Sequence, residues 1–170
     1  LGKDYRQLKN FLRDAQWWDI KHIQAWQFNK LKTILQYAYD NVQGYYFLYS
    51  DAGIKPSDVT TLRDIQLLPF TTKDLIRNNL KDFTAQNIPF RKRMYVTTGG
   101  STGTPFGFYH TATNVWMENA FMHTGWERTG WRLGDMSAVL RGNLLQSKKK
   151  KWTYNPARKE LLLSTFHLTD

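Results

Sequence analysis

The stretch Met94-Tyr95-Val96-Thr97-Thr98-Gly99-Gly100-Ser101-Thr102-Gly103-Thr104-Pro105-Phe106-Gly107-Phe108-Tyr109 decides the fold. Its two ends are aromatic, apolar and β-branched, the composition of short strands. Its middle, from Thr97 to Pro105, holds almost nothing but Thr, Gly and Ser. Residues of that kind have no side chains with which to fill a core, and glycine is costly inside a helix or strand. The spacing predicts a strand over Met94 to Val96, a glycine-rich turn, and a second strand over Phe106 to Tyr109. Gly99, Gly100 and Gly103 let the backbone aim successive N–H groups at one point, which makes a nest for an anion. The hydroxyls of Thr98, Ser101, Thr102 and Thr104 add donors at little bulk, and the set suits a polyphosphate. Taken as composition alone, an ordinary flexible hairpin loop fits the same residues.

Two common phosphate loops are excluded. Walker A needs a lysine directly after its second glycine, and none follows Gly103. The dinucleotide fingerprint needs a different glycine spacing and a helix opening directly after it. With strands on both sides, a phosphate would be held by amides and hydroxyls and not by a helix dipole.

Upstream, Ile20, Ile23, Phe28, Leu31, Ile34, Leu35, Ala38 and Val42 recur at helical spacing. Asp19 suits the N-cap. Gly44 reads as the stop, and Tyr45, Tyr46, Phe47 and Tyr49 as packing surface between helices. Val59 to Leu68 reads as a short helix ended by Pro69. Thr71 or Thr72 caps another, with Asp74 at capping-box spacing from Thr71 and Leu75, Ile76 and Leu80 on the apolar side.

Downstream, Thr111 or Thr113 opens an amphipathic helix running to about Arg128. Ser137 to Leu140 reads as a strand. Trp152 to Tyr154 and Leu161 to Phe166 read as strands paired across Asn155-Pro156. The expected class is α/β: a helical N-terminal region over residues 1–90, then, over residues 91–170, the start of a mixed sheet carrying the glycine-rich loop between two strands.

Composition bounds the rest. Hydrophobic content of 41% and aromatic content of 15% are enough to build a core. Cysteine is absent, which removes disulfides and thiolate metal sites. His22, His110, His123 and His167 are scattered, so no metal site is expected. The net charge of +10 attracts anions of many kinds and selects no partner by itself. Lys148 to Lys151, with Arg158 and Lys159, read as a solvated hairpin, and no nucleic-acid partner is expected. Arg132 and Asp135 read as a turn held by Gly134, with the Asp side chain bonding the backbone. No apolar run is long enough to span a bilayer, and the charged start from Leu1 to Asn10 lacks a signal-peptide core. A cytoplasmic location is the expectation.

The order of residues from Thr98 to Pro105 resembles the phosphate-binding signature of the adenylate-forming superfamily. That superfamily holds acyl-CoA synthetases, luciferases and peptide-synthetase adenylation domains. Three flanking segments resemble its phenylacetate–CoA ligase branch: Asn41 to Tyr46, the run Leu68-Pro69-Phe70-Thr71-Thr72-Lys73-Asp74-Leu75-Ile76-Arg77, and Gly130-Trp131-Arg132-Leu133-Gly134-Asp135. Within the branch, the Gly-Gly pair before Ser101 is most similar to capsule-biosynthesis proteins and those labelled coenzyme F390 synthetase.

The resemblance implies an ATP-dependent ligase. A carboxylic acid is activated as an acyl-adenylate, and CoA or another acceptor displaces AMP. It implies that Thr98, Gly99, Gly100, Ser101, Thr102 and Gly103 hold the ATP phosphates, with Mg2+ bridging them. The catalytic residues are not identified by it. One departure stands out: many members carry lysine directly after the proline, where this chain has Phe106. The family's adenine and ribose contacts, its Mg2+-binding acid and its mobile lysine have no match before Asp170. The expectation is therefore the N-terminal part of a larger, incomplete domain, inactive alone and open to self-association at a sheet edge. The alternative is a non-catalytic nucleotide-binding or assembly piece.

Overall fold

A computed structural model describes residues 2–98, 105–141 and 151–164. The chain divides into two compact units, residues 1–120 and residues 121–170.

The first unit opens with helices α1 (Lys3–Ala15), α2 (Ile20–Asn41) and α3 (Gln43–Asp51). Asp19 caps α2 as expected, its carboxylate accepting the His22 N–H at 2.8 Å. Gly44 is not the stop. The break falls at Val42, whose backbone turns to φ −127° and ψ 102°, and Gly44 lies in the first turn of α3. Its role is close approach. The Gly44 N–H donates to the Asp82 carbonyl at 2.9 Å, and a Cβ there would stand 2.9 Å from two Phe83 ring carbons.

Leu35, Tyr49 and Val59 form the buried centre, with Phe28, Leu31, Tyr39, Tyr45, Leu48 and Leu68 packed around them. The stretch from Val59 to Leu68, read as a short helix, forms a 3-10 helix over Leu62–Leu67. At its start one Asp64 carboxylate oxygen takes the N–H groups of Thr60 and Thr61 at 2.8 and 2.7 Å, as in a capping box. Those bonds, led by that from Thr61, hold the Asp64 pKa below its ordinary value. A depressed carboxylate contributes stability above its unfolded pKa, and that contribution is lost as pH falls through the folded value. The Tm gap between wild type and Asp64→Asn is therefore expected to narrow as pH falls below about 4. Thermal melts from pH 6 to 2.5 check this, and a gap that stays constant would contradict it.

Helix α4 (Lys73–Asn78) starts from Thr72, not Thr71: the Thr72 hydroxyl oxygen accepts the Leu75 N–H at 3.1 Å. Asp74 completes no capping box here and pairs with Arg77, while Leu80 lies past the helix end. The segment after α4 is tied to the helical core. Tyr37 donates its hydroxyl to the Asn87 side-chain oxygen at 2.8 Å, and the Gln86 N–H donates to the Asn41 carbonyl at 2.9 Å. Arg93 brackets the same segment from the other end, donating to the Ile88 and Ala85 carbonyls at 2.8 and 2.9 Å. Strand β1 (Met94–Thr97) thus leaves from a fixed base and pairs antiparallel with β2 (Gly107–His110).

Helix α5 (Ala112–Glu127) opens directly after Thr111. It is not the one-sided amphipath expected. Trp116, Met117 and Phe121 are all about half exposed, and Ala120 is its one fully covered residue among those described.

In the second unit, β3 (Ser137–Arg141), β4 (Trp152–Asn155) and β5 (Glu160–Ser164) form a sheet in the order β3-β5-β4. The expected β4–β5 hairpin is present, with Trp152 opposite Leu163 and Asn155 opposite Glu160. The Asn155 side-chain oxygen accepts the N–H groups of Ala157 and Arg158 across its turn. Strand β3 pairs parallel to β5, which makes this the mixed sheet. Among the described residues, β1 and β2 pair only with each other, in a separate two-stranded sheet. The turn before β3 takes the expected form: Gly130 and Gly134 have φ of 90° and 98°, and the Asp135 carboxylate accepts the Arg132 N–H at 2.7 Å. Trp131 donates its indole N–H to the Ser137 hydroxyl at 2.9 Å and packs against Trp126 and His123. No described helix is long and apolar enough to cross a membrane.

Candidate functional site

The strands flanking the glycine-rich stretch form the expected hairpin. Met94 lies opposite His110, Tyr95 opposite Tyr109, Val96 opposite Phe108, and Thr97 opposite Gly107. One further rung closes it. The Thr98 N–H donates to the Phe106 carbonyl at 2.9 Å, and the Phe106 N–H donates to the Thr98 side-chain oxygen at 3.2 Å. Thr98 is exposed at the mouth of the turn. Gly99, Gly100, Ser101, Thr102 and Gly103, the other candidate phosphate ligands, lie outside the described residues.

Alternation sorts the hairpin side chains onto two faces. Tyr95, Thr97, Gly107 and Tyr109 share one. There the Tyr95 ring lies across Gly107 and meets the Tyr109 ring edge-on, with centroids 5.3 Å apart. A Cβ at Gly107 would fall on the Tyr95 hydroxyl oxygen, so a side chain at this buried position would displace the tyrosine ring that reaches it diagonally across the pair. The other face carries Met94, Val96, Thr98, Phe106, Phe108 and His110. Phe106 stacks on Phe108 with centroids 6.0 Å apart, and Phe108 meets His110 at 6.5 Å. The Phe106 side chain, which stands where the resembling family often has lysine, is thus turned along the strand against Phe108. The His110 Nε2 is buried and has no hydrogen-bond partner among the described residues.

Reading from sequence located the two strands. It missed the Tyr95–Gly107 contact, the pair of hydrogen bonds between Thr98 and Phe106, and the Arg93 bracket. A glycine two residues into an otherwise aromatic strand was the available signal for the first. The other two depend on tertiary geometry. Among the described residues, no group of three or more His, Cys, Asp or Glu could hold a metal ion.

Comparison with known proteins shows what the sequence is similar to. The chain is 31% identical over 97 residues to phenylacetate-coenzyme A ligase of Escherichia coli (strain K12), covering 56% of this chain and 22% of that protein. It is 29% identical over 121 residues to phenylacetate-coenzyme A ligase of Aromatoleum evansii, covering 71% and 27%. It is 31% identical over 111 residues to protein CapK of Staphylococcus aureus, covering 63% and 24%. No family model matches the chain. The chain is thus similar, at about 30% identity over part of its length, to phenylacetate-coenzyme A ligases and to CapK, the branch its motifs resemble. It spans about a quarter of the length of the curated relatives it matches.

Proposed function

We propose that this chain is the N-terminal, phosphate-binding part of an ATP-dependent acid–CoA ligase. The observation that carries the reading is a hairpin closed at Thr98 and Phe106 around the sequence Gly99-Gly100-Ser101-Thr102-Gly103, in a chain similar to phenylacetate-coenzyme A ligases. In this reading a carboxylate oxygen attacks the α-phosphorus of ATP. The bond to the β-phosphate bridging oxygen breaks, pyrophosphate leaves, and an acyl-adenylate forms. The CoA thiolate, or another nucleophile, then attacks the acyl carbon and AMP departs. The amides and hydroxyls from Gly99 to Gly103, with Thr98 at the first position of the set, hold the β- and γ-phosphates, where pre-aimed donors lower the cost of gathering negative charge. Mg2+ spreads the charge of the phosphates when bound. Residues 1–90 serve as the helical base and residues 91–170 as the start of the adenylation subdomain.

A second reading, a non-catalytic nucleotide-binding or assembly piece, is favoured by Phe106, whose ring brings no cation to the phosphates. Pyrophosphate exchange into ATP separates the two. The protein at the full length of its relatives should exchange with at least one member of a broad carboxylic-acid panel. No exchange with any acid, together with a Tm raised by MgATP, would favour the second reading and sink the first.

A further inference from the structure

We infer that Thr98 is a positioning residue that fixes the two strand ends at the last rung before Gly99, and is not primarily a phosphate contact. This deepens, and rests on, the phosphate-binding reading above. In an antiparallel ladder, a hydrogen-bonded pair exchanges two N–H···O=C bonds. The Thr98–Phe106 pair keeps one of them, from the Thr98 N–H to the Phe106 carbonyl. In the other, the Thr98 hydroxyl oxygen takes the place of its main-chain carbonyl as acceptor of the Phe106 N–H. The substitution has a physical consequence. The main chain can leave the ladder at Thr98 while the Phe106 amide keeps a partner. Both strand ends stay fixed at the last point before the glycines, and the hydroxyl still has its own proton to donate.

Two neighbours make the latch effective. Thr97 opposite Gly107 is the final regular pair, held under the Tyr95 ring, so the ladder below the latch cannot slip. The Phe106 ring stacks on Phe108, which orients the backbone of residue 106 from the far side. The identity of residue 106 enters through its amide, whereas that of residue 98 enters through its hydroxyl. Valine has the shape of threonine without the acceptor, and serine keeps the acceptor without the methyl group.

The test is MgATP titration of the chain by calorimetry, with exchange of the Phe106 amide followed by NMR. Thr98→Val is expected to weaken MgATP binding about tenfold, the scale of one hydrogen bond. Its Phe106 amide should exchange faster, while its Tm stays close to wild type because that amide sits at an exposed strand end. Thr98→Ser should keep both affinity and slow exchange. Wild-type affinity in Thr98→Val would overturn the inference and leave the phosphate reading standing. Equal loss of affinity in both variants, with Phe106 exchange unchanged in both, would also overturn it and return Thr98 to direct contact. If wild type binds no MgATP while its Phe106 amide is slow, the latch exists but the phosphate reading fails, and the assignment of a nucleotide-positioning role fails with it.

Discussion

Leu35→Ala is expected to cost the helical unit about 2–5 kcal/mol, the usual range for emptying a buried leucine site. Leu35 is only 5% exposed and sits with Tyr49 and Val59 at the centre of the core. Deleting it removes the apolar transfer term and leaves a cavity lined from three directions: α2 itself, α3, and the loop that carries Val59. Collapse into that space is limited, because the Tyr39, Tyr45 and Tyr49 rings are held against other rings. The control is the adjacent residue. Ile34 is 59% exposed, one step of about 100° around the same helix. Ile34→Ala removes a similar volume and should stay within about 0.5 kcal/mol of wild type. Guanidinium unfolding of both variants decides the matter. Equal losses at 34 and 35 would mean that α2 does not bury the face described.

Gly44→Val is the second large effect, expected at about 1–3 kcal/mol, the range for overpacking a filled site. On helix propensity alone, replacing glycine by alanine at this position would help by about 1 kcal/mol. The space decides otherwise. A Cβ would approach the Phe83 ring to 2.9 Å, closer than side-chain carbons stand in folded proteins. The ring cannot withdraw easily: it packs edge-on to Tyr45 at 5.2 Å, and its own segment is bonded to the Gly44 N–H through the Asp82 carbonyl. Relief therefore requires lifting the segment that leads to β1. A double-mutant cycle with Phe83→Ala isolates the cause. In the Phe83→Ala background, Gly44→Val should lose most of its penalty. A penalty of unchanged size there would place the conflict elsewhere.

Both effects show where reading from sequence stops. Gly44 carries the same letter whether it ends a helix or admits a ring, and its backbone conformation is helical. Nothing local announces Phe83, thirty-nine residues away in the chain. The short helix read over Val59 to Leu68 takes the 3-10 form at Leu62–Leu67, a distinction that apolar spacing over so few residues does not carry. The apolar residues of α5 lie on several sides of the helix, so periodicity could not say which of them is covered.

Short-range chemistry was legible throughout. Asp19 and Thr72 act as caps because a side-chain oxygen meets an amide three residues on. Gly134 and Asp135 make their turn within four residues. Strands β1, β2, β4 and β5 follow from β-prone runs separated by turn residues. These features need only neighbours along the chain, so the order of residues by itself determined them. The tertiary structure alone decided the parallel pairing of β3 with β5, the ring over Gly44, the tyrosine over Gly107 and the hydroxyl that stands in for a carbonyl at Thr98. Each joins groups whose contact depends on where a distant or turned backbone comes to rest, and hydrophobic burial, which drives that placement, has no direction that a sequence can record.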